Sequence, residues 1–525
     1  MRRFLSDTEL PVEWQQARLS RDARFDGVFY IGVLTTGIFC RPVCPARLPR
    51  EDNVRYLRTP AEAIEKGFRP CRRCRPEYSP RVRHCWSDER IDSVLNAIDN
   101  GYLDRHDLPE LARTVALSDR QLRRLFLDNL GTTPSRVAET RRLMLAKQLL
   151  CESNLSMTQV AEASGFNSIR RFNSKVKSFY QQTPSEIRQA QLRRPTRQQD
   201  DWVIDIPHSD HYPWQQVFHF YQQRAVEGLE HASENCLQRI VHINHQPVLL
   251  RCEKLAHRPA LRLTLTGADC SCLSQIIALT RKALDLNSNH LAIAEHLARS
   301  KQLAPLTRSQ NLIALPGAWD PFEYLIRAIL GQQVSVKAAR TLTARLLERC
   351  GEKVTLAGQT WYLFPTAETL ATADLRNFGM PQRRIDTLQQ VARAQANGDI
   401  DLAMTHNALH PTDAIASLRQ SLLNIKGIGI WTVDYLLMRA FYQPDIWLDT
   451  DLGIINAVKK IHSDLDKKSL KTIADDCSPW RSYAVMALWH SLSAGTSNET
   501  DYPPTDAHGV RYLQHARRHD DCGAG

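Results

Sequence analysis

Apolar positions along this chain change their period twice, and each change marks a different kind of element. From about residue 87 to 193 they recur at helical spacing: in LPELARTVALSDRQLRRLFLDNLG, residues Leu111, Val115, Leu122, Leu125 and Phe126 share an inward face. Ser118 is placed as the N-cap of a second helix, because its side-chain oxygen can satisfy an amide that a helix start leaves unpaired. The pattern then repeats with a period of 49 to 50. Thr133-Pro134-Ser135 recurs as Thr183-Pro184-Ser185, Ala112 as Ala161, Leu117 as Phe166, Leu122 as Phe172 and Phe126 as Val176. The second unit, SMTQVAEASGFNSIRRFNSKVKSFY, puts Gly165 at a turn and Asn167 or Ser168 at the next cap. Each unit predicts helix, turn, helix. Between about 202 and 302 the period falls to two in VLLRCEKL and LRLTLTG, which predicts strands with flanking helices. Downstream the helical period returns, and no apolar run approaches the roughly 20 residues that span a bilayer.

At 525 residues the chain is too long for one hydrophobic core, so several domains in series are expected. The start, MRRFLSDTEL, lacks the apolar stretch of a secretion signal; the expected compartment is the cytoplasm, with no membrane association. Charge divides the chain unevenly. Residues 1–200 hold 35 Lys+Arg against 24 Asp+Glu, whereas residues 201–525 hold 33 of each, so the whole net charge of +11 lies in the first part. That polarity points to a polyanion met through a diffuse field, with solubility as the plain alternative.

Thirteen cysteines, an odd number, argue against a disulfide framework in a reducing compartment. Cys85, Cys151, Cys236, Cys252, Cys350, Cys477 and Cys522 stand apart and read as small hydrophobes, as does the pair Cys270 and Cys272. The other four differ: Cys40 and Cys44 form C-x3-C, and Cys71 and Cys74 form C-x2-C after a gap of 26 residues. Two short-spaced pairs can each clasp an edge of one tetrahedral Zn2+. A structural knuckle is the simpler alternative, but Arg41, Arg47, Arg69, Arg72, Arg73 and Arg75 crowd the ligands and suit phosphate contact.

TTGIFCRPVCPAR followed by GFRPCRRCRPE resembles the N-terminal domain of the bacterial Ada methyl-sensing family over about residues 10–80. The resemblance implies that Cys40 takes a methyl group irreversibly from a DNA methyl phosphotriester while Cys44, Cys71 and Cys74 stay ligands. It also makes Thr36, Arg47 and Arg69 candidates for phosphate contact. Four thiolates and one Zn2+ sum to −2, and methylating Cys40 reduces this to −1. Weaker repulsion of phosphate would turn repair into a signal through tighter DNA binding. The paired helical repeat resembles AraC-type regulators, whose two motifs read successive major grooves. Exposed helix starts then nominate Asp119, Arg120, Gln121, Arg123 and Arg124, and Ser168, Arg170, Arg171, Asn173 and Ser174, for DNA contact, the plain alternative being a helical bundle with solvated arginines. The partners so implied are double-stranded promoter DNA and RNA polymerase.

In the last third, LLNIKGIGIWTVDYLLMRAF (422–441) and PDIWLDTDLGI (444–454) form a constellation. Two helices would flank a Gly427-Ile428-Gly429 turn whose amides can approach a phosphate. A lone G-x-G is a weak signal and on its own reads first as an ordinary interhelical turn. With Asp451 following at a fixed distance, the segment resembles the helix-hairpin-helix glycosylase superfamily. DPFEYLIRAILGQQVSV (320–336), FGMPQRRI (378–385) and PWRSYAVMALWH (479–490) extend that resemblance to the AlkA-type alkylation-repair glycosylases over about 202–495. It implies Asp451 as the catalytic carboxylate, with Trp431, Tyr435 and Trp489, and Phe220 with Arg224, around a flipped alkylated base. The plain alternative for each aromatic is ordinary core. Trp431 stands where strand-cutting relatives carry a lysine, Lys426 lies five residues too early, and the four-cysteine iron-sulfur pattern is absent, so a monofunctional glycosylase is expected. Gln333 stands where the family places an apolar wedge. The family's hairpin also implies a monovalent cation held by backbone carbonyls.

The expected fold is multidomain α+β: a small zinc-bound α/β domain (1–84), an all-α double helix-turn-helix (85–193), a linker (194–201), an α+β AlkA-type N-terminal domain (202–312), an all-α helix-hairpin-helix glycosylase domain (313–495) and a flexible tail (496–525). No P-C-H-R motif occurs, so O6-methylguanine repair is not expected. The competing expectation is a DNA-binding regulator whose glycosylase half recognises damage without cleaving, and the two differ at Asp451.

Overall fold

The computed structural model describes residues 12–80, 88–190, 201–244, 246–269, 272–307, 312–402, 412–461 and 467–493. The expected linker apart from Asp201, the tail, and Cys85, Cys270 and Cys522 lie outside the described residues. Among the described residues no helix is long and apolar enough to cross a membrane.

The first unit is a four-stranded sheet of β1 (Tyr30–Val33), β2 (Ile38–Cys40), β3 (Val54–Leu57) and β4 (Arg69–Pro70), in the order β3-β1-β2-β4. Its one parallel pairing sets Ile38 beside Arg69 and Phe39 beside Pro70. Cys40 and Cys71 therefore follow side by side at the ends of adjacent strands, which converts sequence spacing into a cluster. Tyr30, Phe39, Leu57, Ala63 and Phe68 fill the small core behind them.

The repeat folds as two helix-turn-helix units. Helices Leu108–Thr114 and Asp119–Leu130 form the first, and Met157–Ala163 and Ile169–Tyr180 the second; the long helix Pro134–Glu152 connects them. Ser118 Oγ accepts from Gln121 N–H while Gln121 Oε1 accepts from Ser118 N–H, a reciprocal cap, and Ser168 rather than Asn167 caps helix Ile169–Tyr180. Gly165 sits in the turn with φ +84°, a conformation that costs glycine little. Leu111, Val115, Leu122 and Phe126 are buried, and Leu125 is half-buried.

A five-stranded antiparallel sheet follows: β5 (Trp202–Pro207), β6 (Glu230–Ala232), β7 (Cys236–Ile243), β8 (Gln246–Lys254) and β9 (Ala260–Thr266), ordered β5-β9-β8-β7-β6. Among the described residues the remainder is helical except for one hairpin, β10 (Glu352–Leu356) and β11 (Gln359–Leu363), that departs from the all-helical expectation. Its two-residue turn has Ala357 at φ +50° and Gly358 at φ +73°, the left-handed pair that joins tightly twisted strands. Trp361 and Leu363 of the hairpin pack with Leu229, Ile240 and Leu249 beside the five-stranded sheet.

The units are not separate beads. One core runs from Leu143, Leu150, Val160, Phe172 and Val176 of the helical repeat into Ile204, Leu250, Leu263 and Ile276 of the sheet unit, across the expected boundary. Glu152, at the end of the connecting helix, lies at a junction of three units. It accepts hydrogen bonds from Arg75 Nη1 (2.8 Å), Tyr78 and Arg258 Nη1 (2.6 Å), and Arg258 and Arg262 both hold Asp205 on β5. On the other side, Asn289 Nδ2 donates to the carbonyls of Ala23 and Arg24, each at 3.0 Å.

Candidate functional site

At the first site, the Sγ atoms of Cys40, Cys44, Cys71 and Cys74 all lie within 4.8 Å of one another. A tetrahedral zinc with sulfur at about 2.3 Å needs sulfurs roughly 3.8 Å apart, so the donor set fits the ion. The four residues are 9, 7, 8 and 7% exposed, which shields thiolates from bulk water without sealing them. Backbone amides turn toward the sulfurs: Arg41 N–H donates to Cys74 Sγ at 3.3 Å and Arg73 N–H to Cys71 Sγ at 3.4 Å. Such donors favour the ionised sulfur and fix its direction. The protein therefore has a Zn2+ site with four cysteine ligands.

The surrounding arginines divide into two groups. Thr36, Arg47, Arg69, Arg72 and Arg73 are exposed, open to a polyanion. Arg41 and Arg75 correct the expectation of a uniform phosphate-facing crown. Arg41 is turned onto the Asp26 carboxylate and the Cys74 carbonyl, and Arg75 stacks on Tyr78 at 4.0 Å and pairs with Glu152. These two guanidiniums already have carboxylate partners inside the protein. On the helical repeat, Arg120, Gln121, Arg123, Arg124, Ser168, Arg170, Arg171, Asn173 and Ser174 are exposed and Asp119 is half-buried.

At the second site, helices Thr412–Leu423 and Ile430–Arg439 flank the glycine turn and are tied together by the Arg419–Asp434 ion pair. Gly427 has φ +93°, and a Cβ there would lie 2.2 Å from Thr387 Oγ1, so the turn requires glycine on both counts. Gly429 is the residue just before the second helix, with open space around its Cα. Amides at that helix start are placed to meet an anion.

Asp451 immediately precedes helix Leu452–Ile461 and is 1% exposed. Three donors hold it: Ile454 N–H and Trp489 Nε1–H on Oδ1 at 2.8 and 3.0 Å, and Trp431 Nε1–H on Oδ2 at 2.8 Å. A carboxylate in that position also has the helix dipole in its favour. Around it stand the aromatics: Trp431 stacks on Tyr435 at 4.9 Å and 14°, and Tyr435 meets Trp489 edge-on at 6.1 Å. Tyr324 extends this group, 5.3 Å from Tyr435. Sequence reasoning missed Tyr324, which sits in a helix where an aromatic at core spacing carries no separate signal.

A cavity of about 140 Å³ opens beside this group, lined by Trp431, Tyr435, Tyr324, Phe220, Arg224 and Gln333, among others. Trp489 and Asp451 do not line it; Trp431 alone reaches from the cavity to the carboxylate. Phe220 is held between two guanidiniums, Arg224 at 4.0 Å and Arg439 at 4.1 Å from its ring centroid. Two cations at that range need opposite faces, so the faces of Phe220 are taken by protein. Gln333 is exposed with φ +57°, a left-handed conformation uncommon outside glycine. The neighbouring Gln332 Nε2 donates to the Gly427 carbonyl at 3.3 Å, linking this loop to the hairpin. The structure thus brings Asp451, Trp431, Tyr435 and Trp489 together, with Phe220, Arg224 and Gln333 around the adjoining cavity. Lys426 is exposed on the turn.

Four family models match the chain: metal binding domain of Ada over residues 13–77, helix-turn-helix domain over 111–190, AlkA N-terminal domain over 203–320, and HhH-GPD superfamily base excision DNA repair protein over 326–491. A probable bifunctional transcriptional activator/DNA repair enzyme AlkA of Mycobacterium tuberculosis is 32% identical over 491 residues, covering 90% of this chain and 95% of the relative. DNA-3-methyladenine glycosylase 2 of Escherichia coli is 28% identical over 283 residues, 53% of this chain and 94% of the relative. The bifunctional transcriptional activator/DNA repair enzyme Ada of Escherichia coli is 36% identical over 153 residues, 29% of this chain and 41% of the relative.

Proposed function

The chain belongs to the family of bifunctional transcriptional activator/DNA repair enzymes in which an Ada-type zinc unit and a helix-turn-helix precede an AlkA-type glycosylase, and from that membership we propose how its two sites divide the work. The protein is a DNA-binding repair enzyme of the alkylation response. Its C-terminal half removes 3-methyladenine and related alkylated bases as a monofunctional glycosylase. Its N-terminal unit accepts a methyl group from DNA phosphotriesters on Cys40, and the methylated protein activates transcription with RNA polymerase as partner.

The observation that carries the excision reading is Asp451, a buried carboxylate at a helix start beside an aromatic group, reached through the hairpin that would hold the backbone of DNA. As the N-glycosidic bond breaks, its electron pair leaves on the base, and positive charge spreads over C1′ and the ring oxygen of the sugar. A fixed carboxylate stabilises that charge, water adds at C1′, and its proton passes to the carboxylate or solvent. An alkylated base already carries positive charge and leaves readily, so no strong acid is needed. The face of Trp431 toward the cavity offers stacking and cation-π attraction. An amine nucleophile is absent from position 431, which supports base release without strand cutting. Gly427 and Gly429 bring amides to the phosphate, and backbone carbonyls of the same turn would serve a monovalent cation.

At the first site, zinc bound by the four cysteines keeps their sulfurs as thiolates at neutral pH. Cys40 Sγ then attacks the methyl carbon of the phosphotriester; the S–C bond forms as the C–O bond breaks, and the electron pair stays on phosphate. Thr36, Arg47 and Arg69, all exposed, would hold the phosphate group. Arg120, Gln121, Arg124, Arg170 and Arg171 would contact the promoter, and Gln333 the damaged duplex.

One experiment tests both halves. Methylated duplex is incubated with the intact chain and with Asp451→Asn, while released base, strand nicks without alkali, and protein mass are followed. The expected outcome is release of 3-methyladenine by the intact chain, loss of at least about 100-fold in the variant, no nick, and one added methyl on Cys40 in both. Base release by the variant at the wild-type rate, or a nicked strand, overturns the excision reading; an unmodified Cys40 overturns the sensor reading.

A further inference from the structure

The contacts of Asp451 assign the tryptophans a role that base stacking does not require. Trp489 is 6% exposed and lies off the cavity, with its indole edge rather than its face aimed at the carboxylate: Nε1–H meets Oδ1 at 3.0 Å. Trp431 has one face on Tyr435, and its Nε1–H meets Oδ2 at 2.8 Å. Each carboxylate oxygen thus receives one indole donor. Adding Ile454 N–H on Oδ1, three of the roughly four lone-pair directions of an ionised carboxylate are filled. The direction left is on Oδ2, the oxygen bonded to the tryptophan that reaches the cavity.

A second observation shows that this approach is built into the fold. Gly453 lies two residues after Asp451, and a Cβ at that position would stand 2.9 Å from Asp451 Oδ1 and 3.2 Å from both Cδ1 and Nε1 of Trp489. The missing side chain is what lets the indole edge reach the carboxylate. Its backbone φ is not positive, so no turn geometry explains the glycine there.

We propose that Trp489 is a positioning residue for base excision, and that Trp431 shares this role while also lining the base cavity. Their two indole N–H groups clamp both oxygens of Asp451, hold the carboxylate in one orientation, and leave one lone pair of Oδ2 for the sugar. Indole suits the task because it donates and cannot accept. The inference rests on the excision reading above and specifies what surrounds its central group.

The test uses the full chain. Trp489→Phe keeps an aromatic ring and deletes only the donor. Single-turnover base release from methylated duplex is expected to fall about tenfold or more, the loss set by one hydrogen bond to a charged group. Affinity for a duplex carrying a tetrahydrofuran abasic site is expected to stay within about twofold, on the order of the scatter of a neutral contact. A normal release rate, or a parallel loss of binding and release, overturns the proposal in favour of a stacking or packing role. Chain labelled with 15N-tryptophan supplies a readout that needs neither folding of that variant nor turnover: two indole N–H resonances should move between the native chain and Asp451→Asn. If they do not move, the clamp is absent. Absence of base release by the native chain, with both resonances responding, would instead sink the excision reading and leave the clamp standing.

Discussion

Asp451 shows what a single residue requires of its surroundings. Its place after the hairpin was legible through the resemblance to the helix-hairpin-helix glycosylases, and the structure sets it at a helix start beside the aromatics that follow the glycine turn. The tryptophans were legible as aromatics but not as donors, since a sequence does not say which edge of an indole faces inward. Gly453 carried no signal at all: a glycine in the first turn of a helix has no chemistry to announce. Yet the contacts it permits lead to a specific expectation. Gly453→Ala should lower the melting temperature only modestly, because the about 0.5–1 kcal/mol that alanine gains over glycine in a helix offsets part of the cost of its methyl group crowding Asp451 and Trp489. Base release should fall at least about tenfold as the methyl group pushes Trp489 from the carboxylate, a loss on the order of one charged hydrogen bond. Parallel thermal unfolding and excision assays separate the two effects, and equal losses in both would refute this account.

Elements followed the apolar pattern closely where that pattern had partners in polar chemistry. In the helical repeat, the same serine-to-glutamine spacing caps helix Asp119–Leu130 through Ser118 and Gln121, and helix Met157–Ala163 through Ser156 and Gln159. Local sequence thus starts these helices where the hydrophobic face needs them. Ser118→Ala should cost about 1 kcal/mol in chemical denaturation, the usual worth of an N-cap side chain. A cost near zero would mean that packing of Leu122 and Phe126 alone sets the helix start. The hairpin of β10 and β11 went the other way. Its turn uses Ala357-Gly358 rather than a familiar asparagine- or aspartate-glycine pair, and its buried residues find their partners on the distant sheet, among Leu229, Ile240 and Leu249. Short strands whose apolar faces are satisfied so far along the chain leave little local trace.

At the scale of the whole molecule, Glu152 ties the zinc unit, the helical repeat and the sheet unit at one junction. Burial alone would raise its pKa. The Tyr78 hydroxyl and the Arg75 and Arg258 guanidiniums outweigh burial and hold it below the ordinary 4.5. A carboxylate whose pKa is depressed in the folded state contributes stability that is present above the unfolded value and lost as pH falls through the folded one. The junction should therefore hold at neutral pH and loosen as pH falls below about 4.5. Hydrogen exchange should show residues 73–80 and 202–207 losing protection together in that window. Arg258→Met, which removes one of the holds from a half-exposed position, should move the loosening to higher pH. Loss of protection in one segment without the other would show that the junction does not couple them. The continuous core from Leu143 to Ile276 gives the same coupling an apolar basis, so the second helix-turn-helix unit and the sheet unit should unfold as one.

The sequence carried the reacting groups: four cysteines in two short-spaced pairs, a doubled helical period, and a glycine turn followed by an acid, the last pair readable only through its resemblance to a known family. These are local spacings, and local spacing constrains which groups can share an ion, a groove or a phosphate. Tertiary structure alone decided which arginines face outward and which are spent on Asp26 and Glu152, that Phe220 lies between two guanidiniums, and that the indole edges point at Asp451. Those outcomes depend on which element is packed against which, and so on side chains tens or hundreds of residues apart. Charge and aromatic character are written in the sequence; the direction in which a charge or a ring faces is set by packing.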